Sequence, residues 1–162
     1  MRGRFAALGA IAVLLIAPVQ LSAKGDTVRI TITGGDLVTP IEIKDPAVVS
    51  RYNVWSGPGT SSNEAQGLNV DWSRGVVEPP KGLQIYEVSF VTTRRNPGTY
   101  VVRYAIDPST NQGYVYVPGK ADRGYRDNVW LIYRGVEGNW FHAWSEWEKL
   151  ADPLIAKART TH

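Results

Sequence analysis

The stretch "NWFHAWSEWEKL", beginning at Asn139, gathers Trp140, Trp144, Trp147, Phe141 and a single imidazole, His142. The only other histidine is the last residue, His162. A histidine acting as general base needs a hydrogen-bonding partner and a nucleophile or water within reach. The chain contains no G-x-S-x-G, no H-E-x-x-H and no second histidine near the first, so His142 reads as a structural imidazole between two tryptophans. Zero cysteines exclude a thiolate nucleophile, a cysteine metal site and a disulfide framework. The segment "DPSTNQGYVYVP" places oxygen donors at Asp107, Ser109 and Asn111, as a calcium loop would. It has Gln112 where such a loop needs glycine and Pro118 where it needs glutamate, so it reads as a hairpin turn. Asp71, Glu78 and Glu87 are the carboxylates available for acid–base work on a glycoside, a chemistry that depends on a separation spacing does not reveal. "SGPGTSS" lacks the lysine of a phosphate loop. No catalytic residue, metal site or cofactor follows from these patterns.

The aromatic residues are the stronger signal. Six tryptophans and eight tyrosines are a heavy load for 162 residues. Tyr86, Tyr100, Tyr104, Tyr114 and Tyr116 fall on adjacent expected strands. Large rings fill cores and form cross-strand pairs, which accounts for most such stripes. A tyrosine stripe can also form a ligand platform, because each residue offers a flat ring and a polar tip. On that second reading the candidate binding residues are Trp55, Trp72, Tyr86, Tyr104 and Tyr116.

The elements that would carry these residues follow from periodicity. "DTVRITITG" alternates, with Val28, Ile30 and Ile32 on one face, which predicts a half-buried strand. "TPIEIKD" predicts a second strand, and Asp45-Pro46 the cap and first residue of a short helix. From 53 to 82 the pattern breaks into turn-forming residues, a connection long enough to be functional or mobile. "LQIYEVSFVTT", "TYVVRYAID" and "GYVYVPG" then predict a meander of three strands. Apolar residues on its other side (Ile85, Val91, Val101, Ala105) imply that the second face is partly covered. In "NWFHAW" the alternation places Trp140, His142 and Trp144 on one face. Ser145-Glu146-Trp147-Glu148 matches a capping box, in which Ser145 and Glu148 satisfy each other's backbone amides and Ser145→Ala would cost about 1 kcal/mol. Asp152-Pro153 repeats the helix-start signal, so the C-terminal helix should kink or restart there. The expected fold is α+β: a curved, mainly antiparallel sheet with a short helix after the second strand and kinked C-terminal helices.

The N-terminus, "MRGRFAALGAIAVLLIAPVQLSAKGD", has a basic start (Arg2, Arg4), an apolar run from Phe5 to Ala17, the breaker Pro18 and small residues up to Ala23. That pattern predicts a secretory signal peptide over residues 1–23 and a single exported domain over 24–162. The apolar run is short for a spanning helix. With 18 Lys and Arg against 15 Asp and Glu, removing Arg2 and Arg4 leaves 16 against 15. That near-balance offers no clustered basic face for nucleic acid, and no membrane contact is expected after cleavage.

"YEVSF", "DPSTNQGYVYVPGK" and "YRGVEGNWFHAWSEWEKLADPLI" resemble segments of uncharacterised exported bacterial proteins. The resemblance implies a periplasmic or secreted setting and carries no activity, ligand or site residue with it. The reading these residues support is a non-enzymatic extracytoplasmic binding or interaction module whose partner is a cell-wall glycan or another envelope protein. Its alternatives are a small hydrolase of cell-wall glycan or peptide using Asp or Glu with His142, and a structural envelope protein.

Overall fold

The computed structural model describes residues 25–60, 66–93, 98–128 and 133–160. The leader expected over residues 1–23 lies outside the described residues. Nine strands are described: β1 (Thr27–Gly34), β2 (Ile41–Ile43), β3 (Gln66–Gly67), β4 (Val70–Asp71), β5 (Val76–Val77), β6 (Ile85–Thr92), β7 (Thr99–Asp107), β8 (Gln112–Val117) and β9 (Asn139–His142). Seven of them form one open sheet in the order β2-β1-β6-β7-β8-β9-β5, while β3 and β4 pair separately. Every pairing in the sheet is antiparallel. The fold is therefore α+β around a mainly antiparallel sheet.

Alternation decides what each strand buries. Ile30 and Ile32 of β1, Tyr86, Val88 and Phe90 of β6, Tyr100, Val102 and Tyr104 of β7, and Val115 and Val117 of β8 all enter one core on the inner face. Val28 departs from the expected alternation. A register shift between Thr27 and Arg29 turns Val28 outward, 42% exposed, and buries Thr27 instead. The Thr27 hydroxyl then finds a partner by donating to the Tyr52 carbonyl at 2.5 Å. The short helix α1 (Pro46–Val49) starts as its Asp-Pro signal predicts, with Asp45 Oδ1 accepting from the Ala47 amide at 2.9 Å. At the β7–β8 turn, Asp107 Oδ1 accepts from the amide and hydroxyl of Ser109, and Asn111 takes the left-handed conformation at φ 57°. The would-be calcium loop is this hairpin turn.

A 16-residue helix, α3 (Ser145–Thr160), lies across the inner face. It runs without interruption, so the expected restart at Asp152-Pro153 does not occur. Pro153 removes one helical amide, but it sits on the solvent side, where water can bond the carbonyl left over. Trp147, Ala151 and Ile155, spaced by four, hold both halves of the helix to the same core. Asp152 is not a cap: its carboxylate accepts from the Tyr104 hydroxyl at 2.6 Å. At the far end Arg159 pairs with Asp36 in the β1–β2 turn at 2.6 Å.

The capping box does not form either. The first-turn amides of Trp147 and Glu148 donate to the Trp144 carbonyl, so the cap comes from Trp144 backbone. Glu148 reaches away from the helix to β8, and the exposed Ser145 hydroxyl has no hydrogen bond among the described residues. We therefore expect Ser145→Ala to change stability by no more than about 0.5 kcal/mol, as surface substitutions away from special features do. A urea midpoint lowered by the equivalent of a lost cap would contradict this.

Candidate functional site

The outer face of the sheet is less completely covered. The second helix, α2 (Arg123–Asp127), covers its upper part, where the Asn128 side chain accepts from the Val101 amide at 2.6 Å and donates to the Val101 carbonyl at 2.7 Å. The lower part carries two rows of side chains set by the register. One row is Ile85, Ala105, Tyr114 and His142; the other is Glu87, Arg103, Tyr116, Trp140 and Val77.

Aromatic pairs stand at the β8–β9 end of both rows. Tyr116 and Trp140 have ring centroids 5.2 Å apart, and Tyr114 and His142 5.4 Å apart. Arg103 lies over the Tyr116 ring at 5.1 Å and pairs with Asp122 at 2.8 Å. Asp122 also accepts from the Tyr116 hydroxyl at 2.8 Å and the Gly119 amide at 2.9 Å. Partial burial opposes ionisation of Asp122, but these bonds and Arg103 hold its carboxyl below the usual range. The network locks the Tyr116 ring in place beside Trp140.

Beside these pairs is an open groove of about 440 Å³. Its floor is Ile85, Ala105 and Trp140, and its wall is the 78–83 segment that joins β5 to β6, including Pro79 and Pro80. Ile85 is 38% exposed, one of few large apolar side chains so placed. Glu78 and Lys81 bring opposite charges to the rim.

The five residues named from sequence divide between the faces and the loops. Tyr86 and Tyr104 are fully buried in the inner core, their hydroxyls donating to Asp36 at 3.0 Å and Asp152 at 2.6 Å. Burial pushes the Tyr86 hydroxyl up to about 12 and raises that of Tyr104 further. Trp55 packs against the core and donates from Nε1 to the Gly25 carbonyl at 3.0 Å. Trp72, in the 3₁₀ turn Trp72–Arg74, packs its ring tilted against Tyr133 and edge-on against Phe141, each at 5.2 Å. Of the five, only Tyr116 belongs to the outer aromatic row. The tyrosines cannot form one platform, because Tyr104 faces Val115 across the β7–β8 pair while Tyr116 faces Arg103, on opposite sides of the pleat.

Trp140 keeps the face that alternation gives it. It stays on the outer face with His142, whereas the intervening Phe141 and the following Ala143 enter the core. Trp144 does not share its face. The chain leaves β9 after His142, Ala143 bridges Val70, and Trp144 turns inward to Tyr52 at 5.8 Å.

His142 and the carboxylates can be placed as well. Burial, and then the nearby Arg74, lower the His142 pKa and favour the neutral imidazole; among the described residues its buried Nδ1 has no hydrogen-bond partner. Asp71 caps the 3₁₀ turn through the Ser73 amide at 3.1 Å. Glu87 sits opposite Arg103 on the outer face. Two partly buried acids that sequence reading gave to helix signals, Glu148 and Asp152, lie one helical turn apart on α3. Glu148 Oε1 accepts from the Gly113 amide at 2.7 Å and from Gln112 Nε2 at 2.8 Å. Gln112 in turn accepts from Arg74 at 3.2 Å. Both acids accept from internal donors, an arrangement suited to holding the helix against β7 and β8. No protein-family model, curated protein or solved structure matches the chain.

Proposed function

We propose that the protein is an exported, non-enzymatic binding module whose ligand lies in the outer-face groove. The observation that carries this reading is the groove itself: an apolar floor with Trp140 and Ile85, on the side of the sheet that the main core does not use. An apolar hollow of a few hundred Å³ with a few polar groups at its edge is the usual form of a ligand site. The position of Trp140 adds support. Its ring is held by Tyr116, which is held by Asp122 and Arg103, so it is preorganised and loses little freedom on binding. A hydrolase is less well supported, because Glu148 and Asp152 are engaged by internal donors and His142 has no acid–base partner among the described residues. Export rests on the leader pattern at residues 1–23. It calls for a processed N-terminus at or near Lys24, which sequencing the secreted or periplasmic protein would establish or refute.

The test of the groove is co-sedimentation with a bacterial envelope fraction containing wall polymers and envelope proteins. Trp140→Ala and Ile85→Asp should both reduce retention to background. Trp140→Ala should cost only about 1–2 kcal/mol, the worth of one cross-strand aromatic pair and partial ring burial. Variants that stay folded by thermal unfolding yet sediment as strongly as the parent would refute the groove as the site.

A further inference from the structure

Resting on that reading, we infer that the groove takes a neutral oligosaccharide, bound through the C–H face of a sugar ring against Trp140. Three observations select this class. The first is charge. Glu78 and Lys81 at the rim have opposite signs, and Arg103 is paired with Asp122 at 2.8 Å, which leaves Glu87 as the one uncompensated charge of the five. A polyanion or a basic peptide meets no complementary field on such a rim, whereas a ligand rich in hydroxyl groups needs both donors and acceptors and no net charge.

The second is the scarcity of main-chain groups that could read a peptide among the described residues. β6, β7, β8 and β9, the strands beneath and beside the groove, each have a hydrogen-bonded neighbour on both sides. The open edge there belongs to β5, which at two residues is too short a ladder for an added strand. The wall contributes Pro79 and Pro80, two successive residues without an N–H, so it offers C–H surface where a peptide site would offer amides.

The third is the aromatic surface itself. Trp140 is partly exposed on the floor, and the partly exposed Tyr116 ring extends it at 5.2 Å. A pyranose has an apolar C–H face and a polar circumference, which matches a flat ring with Glu78 and Lys81 at the rim. Tryptophan and tyrosine suit this because each combines a flat apolar body with a polar end.

The experiment is a tryptophan-fluorescence titration of the folded protein with three probes of equal length. They are a hexamer of N-acetylglucosamine (neutral), a hexamer of galacturonic acid (anionic) and a proline-rich hexapeptide. The neutral hexamer should bind, with an affinity changed less than twofold between low and high salt. Trp140→Ala should weaken it at least tenfold, while Trp140→Phe, which keeps a flat ring, should weaken it only a few-fold. Binding of the anionic hexamer or the peptide instead, still dependent on Trp140, would overturn the neutral-glycan inference and leave the groove as the site. If no probe binds while the envelope fraction is still retained through Trp140, the neutral-glycan inference fails alone. If neither the probes nor the envelope fraction bind, both proposals fall.

Discussion

Trp147→Ala should destabilise the protein by about 3–5 kcal/mol, the range for removing a large ring from a packed core. The indole is fully buried at the start of α3 and meets three rings: Tyr52 at 5.4 Å, Tyr104 at 5.7 Å and Phe90 at 6.0 Å. Those rings come from the segment after α1, from β7 and from β6, so one side chain joins the helix to widely separated parts of the chain. Removing it leaves a cavity that the paired strands cannot close. Among the described residues its buried Nε1 has no hydrogen-bond partner, which already carries a desolvation cost. Trp147→Phe removes that orphan donor and keeps an aromatic ring, so it should cost clearly less than Trp147→Ala. Urea unfolding of both variants measures the difference. A loss below about 1 kcal/mol for the alanine variant would mean that α3 does not dock through this residue.

Glu148→Ala should cost about 1–3 kcal/mol, because it leaves the Gly113 amide and the Gln112 side chain without their acceptor. Glu148→Gln keeps an acceptor oxygen and removes a charge that its surroundings disfavour, so at neutral pH it should be near neutral or stabilising. Burial raises the Glu148 pKa, the Gly113 bond pulls it back, and the Asp152 charge raises it again. Burial also raises Asp152, against the Tyr104 bond. The direction of the pH effect follows. A carboxyl whose folded pKa exceeds its unfolded value holds its proton in the native state at a pH where the unfolded chain has released it. Its contribution to stability therefore falls as pH rises through that interval and is constant above it. Lowering the pH from 7 towards about 5 should raise the stability contributed by these two groups. At lower pH the trend reverses, as carboxylates held below their usual range lose their partners: Glu42 bonded to Lys44, Asp107 to Ser109 and Glu146 to Lys149. The double variant Glu148→Gln/Asp152→Asn should lack the gain between pH 7 and about pH 5. Thermal unfolding at the two pH values decides it; an unchanged gain in the double variant would assign the effect to other groups.

The sequence by itself determined the features that depend on a few neighbouring residues. Period-two alternation located β1, β6, β7 and β8 and the buried set Tyr86, Val88 and Phe90, because successive side chains in a strand must point to opposite faces. Asp45-Pro46 started a helix and Asp107 to Asn111 made a turn, because short-range side-chain bonds and backbone preferences act within those few residues. The partial covering of the outer face was also legible, in Val101 and Ala105. What tertiary structure alone decided was which face, which partner and which element a residue served. Trp140 and Phe141 are both apolar and adjacent, so alternation separates them without saying which enters the core. The pairing of β9 with β8, which puts Trp140 opposite Tyr116 and Phe141 opposite Val115, settles it. Glu148 fits a local capping box by spacing, yet its carboxylate goes to Gly113, 35 residues away, because docking of α3 brings an unpaired strand amide within reach. Asp152-Pro153 looks like a helix start, yet the contacts of Trp147 and Ile155 on either side of it hold one helix through the proline. In each case a contact distant in sequence outweighs a local preference worth about 1 kcal/mol, and such contacts exist only once the chain has folded.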